Sequence, residues 1–346
     1  MIAPTSPRDI PTSDDRPIWD VWLSSVWLPS LSAAVELSIF EALFSGPADA
    51  DELARKLGLR PRRCEILLRM HVSLGYLMLH AGRYQLTDVA RLYLLRESPY
   101  YWGHVWSGMP DNPMHRRLLE AVRVPSSEVS EAHDATPAQA WESGQLDAQL
   151  AATIARFMNS HSMAAATGLA RNGDFRAAKR LLDVGGGSGC FAIALAQHLP
   201  NLRCTVMDLP AMCRLAEDYI AQGGVAGRVD TIGVDMFRQK WPSGYDALFF
   251  SNIFHDWSLE TCAELAATAH AALPKDGHIF LHEMLLDDTG CGPRAAAAFS
   301  VMMLFGTKGQ QFTFSELQSL LEGAGFVDVA VTPTYGYYSL VRARAP

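Results

Sequence analysis

No run of apolar residues in this chain approaches the ~18 that a membrane helix needs. There is no C-x-x-C pair and no Cys/His cluster. The six cysteines are scattered at positions 64, 190, 204, 213, 262 and 291. Neither a zinc site nor a disulfide framework is expected, and a reducing compartment, the cytoplasm, is. The first residues carry no basic-then-apolar pattern, so no secretory leader is expected. Basic residues are outnumbered, 29 Lys and Arg against 37 Asp and Glu, giving a net charge of −8. That balance argues against a nucleic-acid partner, although charge can be local.

The most informative stretch is 181–189, Leu-Leu-Asp-Val-Gly-Gly-Gly-Ser-Gly. Leu181, Leu182 and Val184 read as a buried strand. Gly185, Gly186, Gly187 and Gly189 allow a sharp turn that leaves room for a ligand against the backbone. Helical spacing follows over 190–197. A strand, a glycine loop and a helix N-terminus together suit a nucleotide-like molecule. The dinucleotide fingerprint G-x-G-x-x-G is missing, because Cys190 stands where its last glycine belongs. The spacing here is G-x-G-x-G. Asp208 closes the next apolar run, where an acid can hold a ribose hydroxyl pair.

From residue 171 onward, strands and helices alternate. Strands are expected near 181–184, 203–207, 229–233, 246–251, 278–283, 327–332 and 337–342, which predicts a mostly parallel, doubly wound sheet. Only 333–336 separate the last two, too few for a parallel crossover, so these must pair antiparallel. Ligands of such sheets sit beyond the strand C-termini. That edge carries Gly185–Gly189, Asp208, Asp235, residues 251–255 and Glu283. Asp235 and Met236 suit an adenine, the first accepting from the amino group and the second packing on the ring.

The N-terminal part reads differently. Residues 1–16 are rich in Pro, Ser, Thr and Asp and are expected to be a disordered tail. Trp19, Trp22, Leu23, Val26 and Trp27 share a helical face, and a second apolar helix is expected over 31–44 after a break at Pro29. Residues 49–95 have a helix-turn-helix cadence: a helix over 51–57 ended by Gly58, a second from Pro61 through Leu77, and a hairpin over 78–86 about Gly82. Arg60, Arg62, Arg63 and Arg69 on the second helix raise the possibility of a DNA-reading winged helix. A reused dimerisation scaffold with a solvated basic face is favoured. Residues 109–137 are expected to be irregular between short helices and 138–170 mostly helical, with Ile154, Phe157, Met158 and His161 on one face.

G-x-G-x-G resembles the first motif of class I S-adenosylmethionine (SAM) methyltransferases. Downstream come Val206-Met207-Asp208-Leu209-Pro210, Asp235-Met236-Phe237, His255-Asp256-Trp257, Leu273-Pro274 with Gly277, and Gly323-Ala324-Gly325-Phe326. In that order they resemble the small-molecule O-methyltransferase family of plant caffeic-acid and bacterial polyketide enzymes. The resemblance covers most of the chain. It implies an α/β fold: a C-terminal Rossmann-like class I methyltransferase sheet with an N-terminal, mainly α, winged-helix dimerisation domain. The expected division is a tail over 1–16, the dimerisation domain over 17–105, a helical linker to the substrate pocket over 106–170, and the SAM-binding catalytic domain over 171–346.

The resemblance implies SAM as cofactor, held by Gly185, Gly187, Asp208, Leu209, Asp235, Met236 and Ser251. It implies a small hydroxylated aromatic substrate, met by Phe157, His161, Asn252 and Met302, and a homodimer without nucleic acid or membrane. A phenol is mostly protonated near neutral pH, so a histidine is the suitable base, here His255 oriented by Glu283. Asp256 is expected to point away from the ring. Gln311 stands where the family often has a second Glu beside the histidine, and Ser251-Asn252 where many members have a Lys. No metal is expected.

Because deprotonation activates oxygen and ortho carbon alike, the alternative is C-methylation of a hydroxylated aromatic amino acid or aryl α-keto acid. Lower alternatives are a winged-helix ligand-binding regulator, an NAD-dependent oxidoreductase, and a repurposed SAM-binding protein.

Overall fold

A computed structural model describes residues 10, 11, 13–106, 112–123, 141 and 148–346. Most of the tail expected over 1–16 and of the irregular stretch over 109–137 lies outside the described residues. Contacts divide the chain into two units. One combines 17–136 with 286–313; the other combines 1–16, 137–285 and 314–346. Segment 286–313, inside the stretch read as catalytic, thus groups with the N-terminal residues.

The first unit opens with α1 (Arg16–Ser24) and α2 (Trp27–Glu36). Trp19, Leu23 and Val26 are buried, as their shared face predicts. The break lies before Trp27, not at Pro29. Pro29 falls in the first turn of α2, where its missing N–H costs no hydrogen bond. Ser38, at φ 58°, separates α2 from α3 (Ile39–Ala42). Then α4 (Ala50–Leu57) starts at a reciprocal cap: Glu52 N–H donates to Asp49 at 2.8 Å and Asp49 N–H to Glu52 at 3.1 Å. Gly58 ends it in the left-handed region, at φ 67°.

Next, α5 (Pro61–Ser73) stops short of Leu77. Gly75, at φ 83°, turns the chain there, and Leu77 already belongs to β1 (Leu77–His80), paired with β2 (Arg83–Leu86). On α5, Arg62 and Arg69 both reach Glu65, at 2.6 and 2.8 Å, and Arg63 donates to the Ala121 carbonyl. These arginines are tied within their own unit. After α6 (Asp88–Tyr93), α7 (Pro113–Val122) packs on α2, where buried His115 bridges Ser32 Oγ and Glu36.

The second unit is built on α8 (Ala148–Asn172), β3 (Arg180–Val184), α9 (Cys190–His198), β4 (Arg203–Asp208), α10 (Pro210–Gln222), β5 (Val229–Gly233), β6 (Ala247–Ser251), α11 (Leu259–Ala272) and β7 (His278–Met284). Chain order then passes α12 (Arg294–Met303), which belongs to the first unit, before α13 (Phe314–Gly323), β8 (Val327–Tyr335) and β9 (Tyr338–Arg344). All seven expected strands are present. They form one sheet in the order β5-β4-β3-β6-β7-β9-β8, with only β9 antiparallel to its neighbours. Its apolar interior includes Phe175, Phe191, Phe249 and Phe280. No helix among the described residues is long and apolar enough to cross a membrane.

Candidate active site

The C-terminal edge of the sheet borders a cavity of about 630 Å³, open to solvent. Gly185 and Gly187 line it with Asp208, Leu209, Asp235 and Met236, so six of the seven residues expected to hold a cofactor converge there. The backbone explains the glycines. Gly185 has φ 68°, and a Cβ there would lie 2.5 Å from Ile253 Cδ1. Gly187 has φ 58° and faces Met158 and Met212, so a side chain would project toward the cavity wall. Ser251, the seventh, is absent from the lining. Its hydroxyl meets His282 Nδ1 at 3.0 Å instead.

Asp208 accepts N–H groups of Gly187 at 2.9 Å and of Leu209 at 2.6 Å. Burial raises its carboxyl to about 6, against the pull of those donors. Asp235 accepts from Phe237 N–H and from the Arg238 guanidinium. Behind the glycine turn stands Asp183, which sequence reading left unassigned. It is 1% exposed, and burial first, then the charge of Asp208, raises it to about 7. An acid within the apolar run Leu181–Val184 was the available signal. A Cβ on Gly186 would sit 2.7 Å from its Cγ, so that glycine makes room for it.

After β6, Asn252 takes φ 55° and leads into a 3₁₀ turn over Phe254–Asp256. His255 is buried on that turn, its Nδ1 3.3 Å from Glu283 Oε2 at the end of β7. The alignment of this pair falls short of a hydrogen bond, since Oε2 meets no well-directed donor. Glu283 Oε1 takes the N–H groups of Ile253 and Phe254, at 3.2 and 3.1 Å. Burial, then Asp256, pushes the Glu283 carboxyl well up, while these N–H groups pull it down. Asp256 does not point away from the ring. The tight turn folds it back, placing Oδ1 3.7 Å from His255 Nε2 and its carboxyl in the cavity lining.

The helical stripe on α8 divides. Ile154 and Met158 line the cavity, while Phe157, half exposed, pairs edge-on with His161 at 5.1 Å, and neither is among the lining residues. Trp141, Phe237 and Trp257 add aromatic walls that sequence reading did not assign. In the other unit, Met302 is half-buried on α12, and Gln311 is buried with its N–H on Ser300 Oγ.

SAM fits this cleft. A close backbone turn, an acid already holding two N–H groups, and methionine and aromatic walls suit a methionine-linked nucleoside. Asn252 lines the same space, and its buried Oδ1 meets no donor among the described residues.

Comparison with known proteins agrees. The O-methyltransferase domain family matches residues 115–327, and the O-methyltransferase dimerisation domain matches 19–96. The 3-hydroxy-5-methyl-1-naphthoate 3-O-methyltransferase of Streptomyces sahachiroi is 38% identical over 310 residues, covering 87% of this chain and 86% of that one. The L-tyrosine C(3)-methyltransferase of Streptomyces lavendulae is 28% identical over 308 residues, 86% of this chain and 82% of that one. The crystal structure of an O-methyltransferase family 2 protein from Planctomyces limnophilus, in complex with apigenin, superposes with a TM-score of 0.87 at 26% identity, covering 99% of each chain. The chain therefore belongs to the O-methyltransferase family and is a SAM-dependent methyltransferase.

Proposed function

We propose that the enzyme methylates a hydroxyl group of a small hydroxylated aromatic compound, with His255 as general base. The observation that carries this reading is the buried His255–Glu283 pair at 3.3 Å, one residue before an acid in the cavity wall. The naphthoate-methylating relative supports the aromatic class.

SAM, when bound, supplies an electrophilic sulfonium methyl. Gly185, Gly187, Asp208, Leu209, Asp235 and Met236 would hold it. What the protein must add is alignment and removal of the hydroxyl proton. Alignment can contribute ~7–11 kcal/mol of the barrier. A positioned base adds about 10²–10⁴-fold. Glu283 faces Nδ1, and Nε2 lies on the other side of the ring, where it would take the proton of the substrate hydroxyl. As Nε2 takes that proton, the imidazolium that forms faces the Glu283 carboxyl. The dimerisation-domain match supports a homodimer.

The tyrosine C-methylating relative favours a second reading, transfer to a carbon ortho to the hydroxyl. The same base serves, because the phenolate it generates is nucleophilic at both atoms. The test is methyl transfer from labelled SAM to a panel of naphthols, hydroxynaphthoates and hydroxylated aromatic amino acids, with product NMR. Methoxy products that vanish in His255→Ala support the proposal. C-methyl products move the second reading forward, and full activity in His255→Ala overturns the base assignment.

A further inference from the structure

Near its end β7 carries two consecutive buried polar residues, His282 and Glu283. Glu283 holds the N–H groups of Ile253 and Phe254. His282 holds the two residues before them. Its carbonyl accepts the Asn252 N–H at 3.2 Å, and its Nδ1 lies 3.0 Å from Ser251 Oγ. Four consecutive residues at the end of β6 are thus tied to two of β7. Among them Asn252 is the step at positive φ, 55°, a strained backbone that persists only where its surroundings hold it. It lines the cavity with Gly185 and Asp208.

His282 is fully buried, and burial lowers it to about 3, so the ring is neutral and carries one proton. The place of that proton follows from its partners. Nε2 lies 2.9 Å from Thr334 Oγ1, and Thr334 Oγ1 donates to the Tyr338 carbonyl at 3.1 Å. A carbonyl only accepts, so the single Thr334 proton points there, and its oxygen accepts from Nε2–H. Nδ1 is then an acceptor and takes the Ser251 O–H. The reverse order would turn the Ser251 proton onto the His282 carbonyl, at 3.4 Å, and take the Thr334 proton from Tyr338. The chain therefore runs one way, from Ser251 through His282 and Thr334 to Tyr338. The Tyr338 ring stacks on the imidazole, with centroids 5.0 Å and planes 15° apart, and Phe191 packs against it at 5.2 Å.

We propose that His282 is a positioning residue for cofactor binding: as the neutral Nε2–H tautomer, aligned by Thr334 and stacked under Tyr338, it holds Ser251 and Asn252 so that the turn enters the cavity wall through its left-handed step. This rests on the reading that SAM occupies that cavity. Ser251, expected to touch the cofactor, acts from behind the wall instead. Thr334 is not among the lining residues and acts through the imidazole.

The test is calorimetric titration with S-adenosylhomocysteine, beside isotope-edited NMR of histidine-labelled protein. NMR should place the His282 proton on Nε2, in a signal identified by its absence in His282→Gln. Thr334→Val keeps the side-chain shape and removes the hydroxyl. It should weaken S-adenosylhomocysteine about tenfold, the scale of one buried hydrogen bond. Thr334→Ser keeps the hydroxyl and should keep the affinity. Ser251→Ala should weaken binding by a similar factor, and the double variant by no more than either alone, because both act through one ring. A proton on Nδ1, parental affinity in Thr334→Val whatever its melting temperature, lost affinity in Thr334→Ser, or additive losses in the double variant overturns the inference. Asp208→Ala separates the two readings. Absent binding in the parent, or binding that survives Asp208→Ala, overturns the placement of SAM and this inference with it. Binding lost there, with parental affinity in Thr334→Val, overturns the role of His282 alone. Circular dichroism of each variant verifies folding.

Discussion

Glu283 grips the turn that carries His255 and faces its ring at the same time. One carboxyl oxygen takes the N–H groups of Ile253 and Phe254, and the other lies 3.3 Å from Nδ1. The strand end therefore fixes the position of the turn and sets a carboxyl against one side of the imidazole.

Glu283→Gln separates these two jobs. The amide oxygen can still accept one N–H, so the turn should persist, while the carboxyl oxygen facing Nδ1 is replaced by an amide NH₂. We expect kcat to fall about 10–100-fold, the scale of an orienting partner's loss. Affinity for S-adenosylhomocysteine should change little. Unchanged kcat would show that Glu283 only braces the turn.

Gly185→Ala should damage both folding and cofactor affinity. The added methyl lies 2.5 Å from Ile253 Cδ1, at a φ that costs an L residue about 1–2 kcal/mol. Ile253→Ala removes the clashing atom but not the strained φ. The double variant should therefore recover part of the melting temperature lost by Gly185→Ala. Strict additivity of the two losses would rule out the clash.

Asp256 makes stability depend on pH in a stated direction. Its native pKa, about 8, lies above the ordinary value near 4. Between those values the native state keeps a proton that the unfolded chain has released. Stability therefore falls as pH rises from about 4 to about 8. Urea unfolding of the parent and of Asp256→Asn should show the parent losing ground to the variant over that range. A constant difference would mean that Asp256 titrates normally.

His71 works from the acid side. It is fully buried on α5, edge-on to Phe40 at 5.4 Å, and burial lowers it to about 4. The unfolded chain binds a proton near pH 6.5 that the native state refuses. Stability is thus fully present above that pH and declines as pH falls toward 4. His71→Phe should flatten this decline in acid unfolding, and a variant that tracks the parent would refute it.

Much of the architecture was legible in the chain because its signals are local. The seven strands are short apolar runs bounded by turn residues, and the 333–336 gap alone forbids a parallel final pair. Where reading failed, a longer-range or backbone effect decided. Helix α5 ends at Ser73 rather than Leu77 because Gly75 turns the chain, although the apolar pattern continues. Pro29 breaks nothing because it falls in a first turn. Ser251 reads as an edge residue, yet its hydroxyl is held by His282, whose Nε2 meets Thr334 Oγ1 at 2.9 Å, across the sheet.

The sequence by itself determined the doubly wound sheet, the glycine turn and the convergence of Asp208, Asp235 and Met236 on one edge. These follow from periodicity, glycine's freedom at positive φ, and the rule that parallel strands end on one side. Only the tertiary structure decided which groups meet the cavity's carboxyls. Asp208, Asp235 and Asp256 are the same residue type in sequence. Backbone N–H groups and a guanidinium meet two of them, and among the described residues none meets the third. Which donors surround a carboxyl is set by folding, because the backbone N–H groups and the guanidinium reach it from other parts of the chain or from a turn that only the fold defines.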